Sequence, residues 1–105
     1  MDLVGSLQAM LEQGQDSALL RFSLGGEYLK RGDLQPAIAH LRSALSQDQN
    51  YSAAYKLLGK ALVEDNQSDA AKQAYTQGIS IAEARGDKQA AKEMTIFLRR
   101  LNKAD

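Results

Sequence analysis

Leu24-Gly25 and Leu58-Gly59 stand 34 residues apart, and the same offset carries on along the chain. Tyr28 meets Leu62, Ala37 meets Ala71, Leu41 meets Tyr75, and Ala44 meets Gly78. Every pair is apolar or small, and each small residue meets another small one. A period of this length marks one supersecondary unit used twice. Such a unit cannot bury its apolar face alone and is stable only against its neighbours. The chain must therefore fold as a stack.

The unit is helical. Ala, Leu, Gln, Lys and Glu are abundant, β-branched residues are few, and the chain has one Pro in 105 residues, a composition that favours an all-α fold. Turn signals recur at short intervals: GQDS at 14–17, RGD at 31–33, QDQN at 47–50, EDNQS at 64–68 and RGD at 85–87. They divide the chain into six helices, about 2–13, 17–31, 34–47, 51–64, 68–85 and 87–103. Asp16 or Ser17 caps the second, and Asn50, Ser68 and Asp87 are placed as N-caps of later ones. Pro36 sits near a helix start, where its missing N–H is harmless. Gly32 and Gly86 suit helix C-termini.

The repeat resembles the tetratricopeptide repeat (TPR) family, whose unit carries an aromatic–x2–L–G–x2–Y … A–x3–F–x2–A pattern. The second copy reads Tyr55, Leu58, Gly59, Leu62, Ala71, Tyr75 and Gly78. The first reads Leu24, Gly25, Tyr28, Ala37, Leu41 and Ala44, with Arg21 where the leading aromatic belongs. Gln49 and Glu83 replace the pattern's final Pro. The resemblance covers about residues 18–85 and implies a TPR-like right-handed superhelix of antiparallel helix pairs. In that frame residues 1–105 form a single domain: an N-terminal half-repeat helix at 2–16, repeats at 17–50 and 51–85, and a capping helix at 86–105. Leu3, Leu7 and Met10 lie one period before Ala37, Leu41 and Ala44, so the first helix reads as the second half of an incomplete repeat. In the last helix Ala91, Met94, Leu98 and Leu101 show helical spacing without a clean repeat register.

Catalytic and cofactor chemistry has little to draw on. The chain has no Cys, and its single His, His40, falls between core positions on the third helix, where a solvated surface site is expected. Gly59-Lys60 imitates the end of a phosphate loop, but Ala61 follows where Ser or Thr is needed and no strand precedes. Gly25 and Gly26 open no GxGxxG turn. Glu64-Asp65 lies at a helix end, where carboxylates are solvated. The RGD triplets are explained by turn and cap chemistry. No nucleophile, base and orienting group come together, so neither an enzyme nor a cofactor or metal is expected. Thirteen basic residues balance thirteen acidic ones, which gives no general attraction to nucleic acid or anionic membrane. No apolar run has the length of a membrane span, and MDLVGSLQAMLEQGQD lacks the basic and apolar regions of a signal peptide. A cytoplasmic protein is the expectation.

Gly25 and Gly59 read as close-approach positions between the helices of each repeat. Leu24, Gly25 and Tyr28 share one helix face. The resemblance implies that the other side of each first helix lines a concave groove. That side holds Phe22, Gly26, Leu29 and Lys30 in the first repeat and Lys56 and Lys60 in the second. If the last helix follows Met94 and Leu98, it adds Lys92 and Arg99. One end is then apolar, with Phe22 and Leu29 as anchors, and the other basic. Residues 85–105 hold six basic and three acidic side chains, against seven and ten in residues 1–84. A basic coat that only solvates the helices is the competing reading. The leading expectation is a module that binds a partner protein's segment carrying acidic groups. The alternatives are self-assembly through the end helices, and an anion-binding or enzymatic role at the basic end.

Overall fold

The computed structural model describes residues 2–104 as six helices: α1 (Leu3–Glu12), α2 (Ala18–Arg31), α3 (Leu34–Gln47), α4 (Ser52–Glu64), α5 (Ser68–Ala84) and α6 (Lys88–Ala104). No strand occurs among the described residues. Consecutive helices pack together, α2 on α3 and α4 on α5 most extensively.

Local chemistry sets the ends. Ser17 Oγ accepts from Leu20 N–H at 3.1 Å, and Asp87 Oδ1 accepts from Ala90 N–H at 3.2 Å. Gly32 takes a left-handed φ of 77°, which lets Asp33 N–H reach back to the Tyr28 carbonyl at 3.0 Å. Asn66, one period later, has φ 60° and closes the same bond from Gln67 to Leu62 at 2.8 Å.

Two caps differ from the sequence expectation. Tyr51, not Asn50, stands at the start of α4 and makes no capping bond. Its ring instead stacks on Phe22 at 4.8 Å, while the Ser52 hydroxyl donates to Asp87 Oδ2 at 3.0 Å. That helix start makes contacts to other elements in place of a cap. Ser68 is the first residue within α5, with Gln67 before it and no side-chain cap; nothing nearby explains the shift.

Packing turns on the repeated glycines. A Cβ on Gly25 would lie 2.5 Å from Leu41 Cγ, and one on Gly59 would overlap the Tyr75 ring. Leu24, Leu41, Leu62 and Met94 are the largest fully buried side chains.

The two ends depart from the period. In α1, Val4 is buried with Leu20 and Leu24, and Leu7 and Leu11 pack beside them. Leu3 and Met10 are 53% and 39% exposed, although their counterparts Ala37 and Ala44 are fully buried. Ala37 and Ala44 sit on the helix that faces α2, whereas no helix among the described residues covers that face of α1. In α6, Ala90, Ala91 and Met94 are buried, as are Ala54, Tyr55 and Leu58 in α4. The offset between these sets is 36, not 34, because α5 has 17 residues where α3 has 14 and the turn after α5 is one residue shorter than the turn after α3.

Candidate peptide-binding groove

α2, α4 and α6 are the first helices of successive units. α4 touches both of the others. Between α4 and α6 lies an open cleft of about 480 Å³. Its apolar lining comes from Leu57 and Val63 of α4, Phe97 and Leu101 of α6, and Tyr75 of α5. Its charged lining comes from Lys56, Lys60 and Glu64 on one side and Glu93 and Arg100 on the other. A second hollow of about 360 Å³ joins α2 to α4 through Gly26, Leu29, Lys30, Leu57, Lys60 and Glu64. Leu57, Lys60 and Glu64 line both hollows and form the ridge between them.

The cations are not equivalent. Lys56 Nζ is 3.3 Å from Glu93 Oε2, and Gln89 donates to the other oxygen of that carboxylate at 3.3 Å. Lys30 pairs with Glu27 at 3.1 Å. Lys60 is exposed and has no ion pair among those found in the described residues. Arg100 carries its guanidinium 6.0 Å from the Phe97 ring centroid. The cleft thus has an apolar floor, with the exposed side chains of Lys60 and Arg100 beside it. Burial, and then the nearby Glu64 carboxylate, pushes the Tyr75 phenol up to about 12. It stays neutral and belongs to the floor.

The residues named from the sequence separate in space. Lys56 and Lys60 line the cleft, while Gly26, Leu29 and Lys30 line the smaller hollow with Lys60. Leu29 is only 9% exposed and belongs mainly to the core. Phe22 is half-buried, with one face taken by Tyr51. Lys92 and Arg99 are exposed on α6, outside the lining of either hollow. Phe97, Leu101 and Tyr75 join the cleft without having been read as groove residues. The register that matches Met94 and Leu98 to Leu58 and Leu62 is offset by 36 residues; it sets Arg100 against the cleft residue Glu64, but Phe97 against Ala61, which lines neither hollow.

His40 is not the solvated residue expected. It is half-buried and stacks on Tyr28 at 5.6 Å with planes 3° apart. Arg21 Nη1 stands 3.2 Å from its Nδ1. A guanidinium only donates, so Nδ1 accepts and the imidazole is neutral with its proton on Nε2. Burial, and then the Arg21 charge, holds the His40 pKa below 6.5. Arg21 in turn grips Asp16 through two bonds of 2.9 Å, and Gln47 donates to the same carboxylate at 2.8 Å. These bonds hold the Asp16 pKa down at about 2. The cluster ties the α1–α2 turn to α2 and α3. Gln8 extends it to α1 by donating to the Tyr28 hydroxyl at 3.0 Å. No group of three or more His, Cys, Asp or Glu able to hold a metal occurs among the described residues, and no helix there is long and apolar enough to cross a membrane.

Comparison with known proteins agrees with this architecture. The family model described as tetratricopeptide repeat matches residues 28–92. The chain is 49% identical over 102 residues to the TPR repeat-containing protein PA0015 of Pseudomonas aeruginosa, covering 97% of each chain. It is similar to the solution structure of protein BPP2914 from Bordetella parapertussis, with a TM-score of 0.88 and 44% identity over 100% of this chain and 91% of that one. A tetratricopeptide repeat domain protein from Salinibacter ruber shares the fold, with a TM-score of 0.79 and 24% identity over 86% of this chain and 91% of that one. With its 34-residue period, its glycine-to-side-chain packing and these likenesses, the chain belongs to the tetratricopeptide repeat family.

Proposed function

We propose that the chain binds a segment of a partner protein across α4 and α6, with an apolar side chain in the cleft and an acidic group on Lys60 and Arg100. Tetratricopeptide repeats are generally protein–protein interaction modules and typically not enzymes. The observation that carries the finer reading is the cleft of about 480 Å³, apolar in its floor and flanked by these two cations. Its size suits one or two side chains, not a whole folded surface. Opposite charge placed at the rim steers the encounter and fixes register more than it adds affinity.

Immobilised protein, challenged with a lysate of its own cells, is expected to capture a partner. A Lys60→Glu/Arg100→Glu double variant of unchanged helicity is expected to lose it. Equal capture by the double variant refutes the cleft as the site.

A further inference from the structure

The two ends of the molecule are unlike. α1 packs as the second helix of a repeat, and the described residues hold no first helix for it. Leu3 and Met10, which would face that helix, are 53% and 39% exposed. α6 packs as the first helix of a repeat, and the described residues hold no second helix for it. Its Met94 takes the place of Leu58, and Thr95 the place of Gly59. Each end lacks what the other supplies.

We propose that copies of this chain stack head to tail, α6 of one copy pairing with α1 of the next to complete a third repeat. In the repeats, Leu41 and Tyr75 press on Gly25 and Gly59. One period before Leu41 stands Leu7, which would meet Thr95 of the neighbouring copy. Thr opposite Leu shares bulk between the helices that Gly opposite Tyr places on one. Thr95 is half-buried on α6, and its hydroxyl is already satisfied by the Ala91 carbonyl at 2.7 Å, so covering it strands no donor.

Charge disfavours the symmetric pairing of α6 with α6. Residues 1–16 contain Asp2, Glu12 and Asp16 and no basic side chain; Asp2 pairs with Arg31 and Asp16 with Arg21 of α2, which leaves Glu12. Lys88, Lys92, Arg99, Arg100 and Lys103 lie on α6 against one acid, Glu93. Head-to-tail contact sets Glu12 and the uncharged face of α1 on the basic helix, whereas α6 on α6 brings like charges together. A heterologous contact of this kind leaves a free end on every copy, so it grows past a dimer unless the ring closes.

Sedimentation equilibrium of the full chain from micromolar to millimolar concentration tests this. The average mass is expected to climb beyond that of a dimer at low salt and to fall back as salt is added. Leu3→Glu/Met10→Glu blocks one end and Thr95→Arg the other. Both alter side chains outside the fully buried core, and circular dichroism checks their folding. Each variant alone is expected to be monomeric, and an equal mixture is expected to form dimers through the one intact pair of ends. A wild-type monomer at every concentration overturns the proposal. So does a dimer that either single-end variant still forms alone.

Discussion

The backbone of Gly59 lies against the ring of Tyr75, so close that a side chain on residue 59 would overlap the ring edge. Gly25 bears the same relation to Leu41, but the adjacent Gly26 does not: a Cβ there would meet only Leu57 Cδ1, at an ordinary 3.5 Å. Gly25→Ala is expected to lose about 1–2 kcal/mol of stability, overpacking outweighing the gain in helix propensity. Gly26→Ala is expected to gain up to about 1 kcal/mol. Urea unfolding measures both, and equal effects at the two positions would contradict the packing described.

The α1 face makes an opposite pair. Val4 is 6% exposed and Leu3 is 53% exposed. Val4→Ala should cost about 2 kcal/mol for the lost burial and the cavity. Leu3→Gln should change stability by less than about 0.5 kcal/mol. The same unfolding measurement checks them.

Acid should act in two stages. The folded-state pKa of His40 lies below its ordinary 6.5. Its contribution is therefore whole above pH 6.5 and declines as pH falls through the lowered folded value. A His40→Gln variant should lack this decline. Asp16 titrates at about 2 instead of 3.8, so its contribution is present above pH 3.8 and is lost between there and about pH 2. Asp16→Asn should flatten that stage. Thermal unfolding at stepped pH reads both, and parallel wild-type and variant curves would count against the Asp16–Arg21–His40 cluster.

Alkali acts on Tyr75. Its pKa is raised from 10.0 to about 12, so its contribution is whole below pH 10 and is lost as pH rises through about 12. Ultraviolet titration should show one phenol ionising only near pH 12 or on unfolding. A Tyr75→Phe variant should lose that phase and show a shallower fall in stability over the same range.

Binding offers a test of charge bookkeeping inside the groove. Lys56 is answered by Glu93, whereas Lys60 has no ion pair among those found in the described residues. For an acidic partner segment, Lys60→Glu should weaken affinity about tenfold or more. Glu93→Gln should strengthen it by freeing Lys56. Titration calorimetry with the captured partner measures both, and a weaker complex with Glu93→Gln would place Glu93 among the groups that contact the partner.

Much of the fold was legible because a repeat writes the same constraint twice. Leu24-Gly25 and Leu58-Gly59 announce a helix pair that must approach closely, and the turn residues at 31–33 and 64–68 show where it folds back. Family, helix number and the distinct characters of Gly25 and Gly26 follow from such local patterns. What lacked a second copy was not legible. Phe22 is spaced like a groove anchor, yet only the folded chain brings Tyr51 onto its face. His40 reads as a surface residue until Arg21 and Tyr28 close around it. Leu3 and Met10 match core positions in phase but have no neighbour among the described residues to bury them, and Phe97 and Leu101 line the cleft although Ala61 and Asp65, their counterparts on α4, line neither hollow. Periodicity sets which side of a helix is apolar; which of its neighbours exist, and how far each helix is advanced against the next, is decided by the whole packed stack.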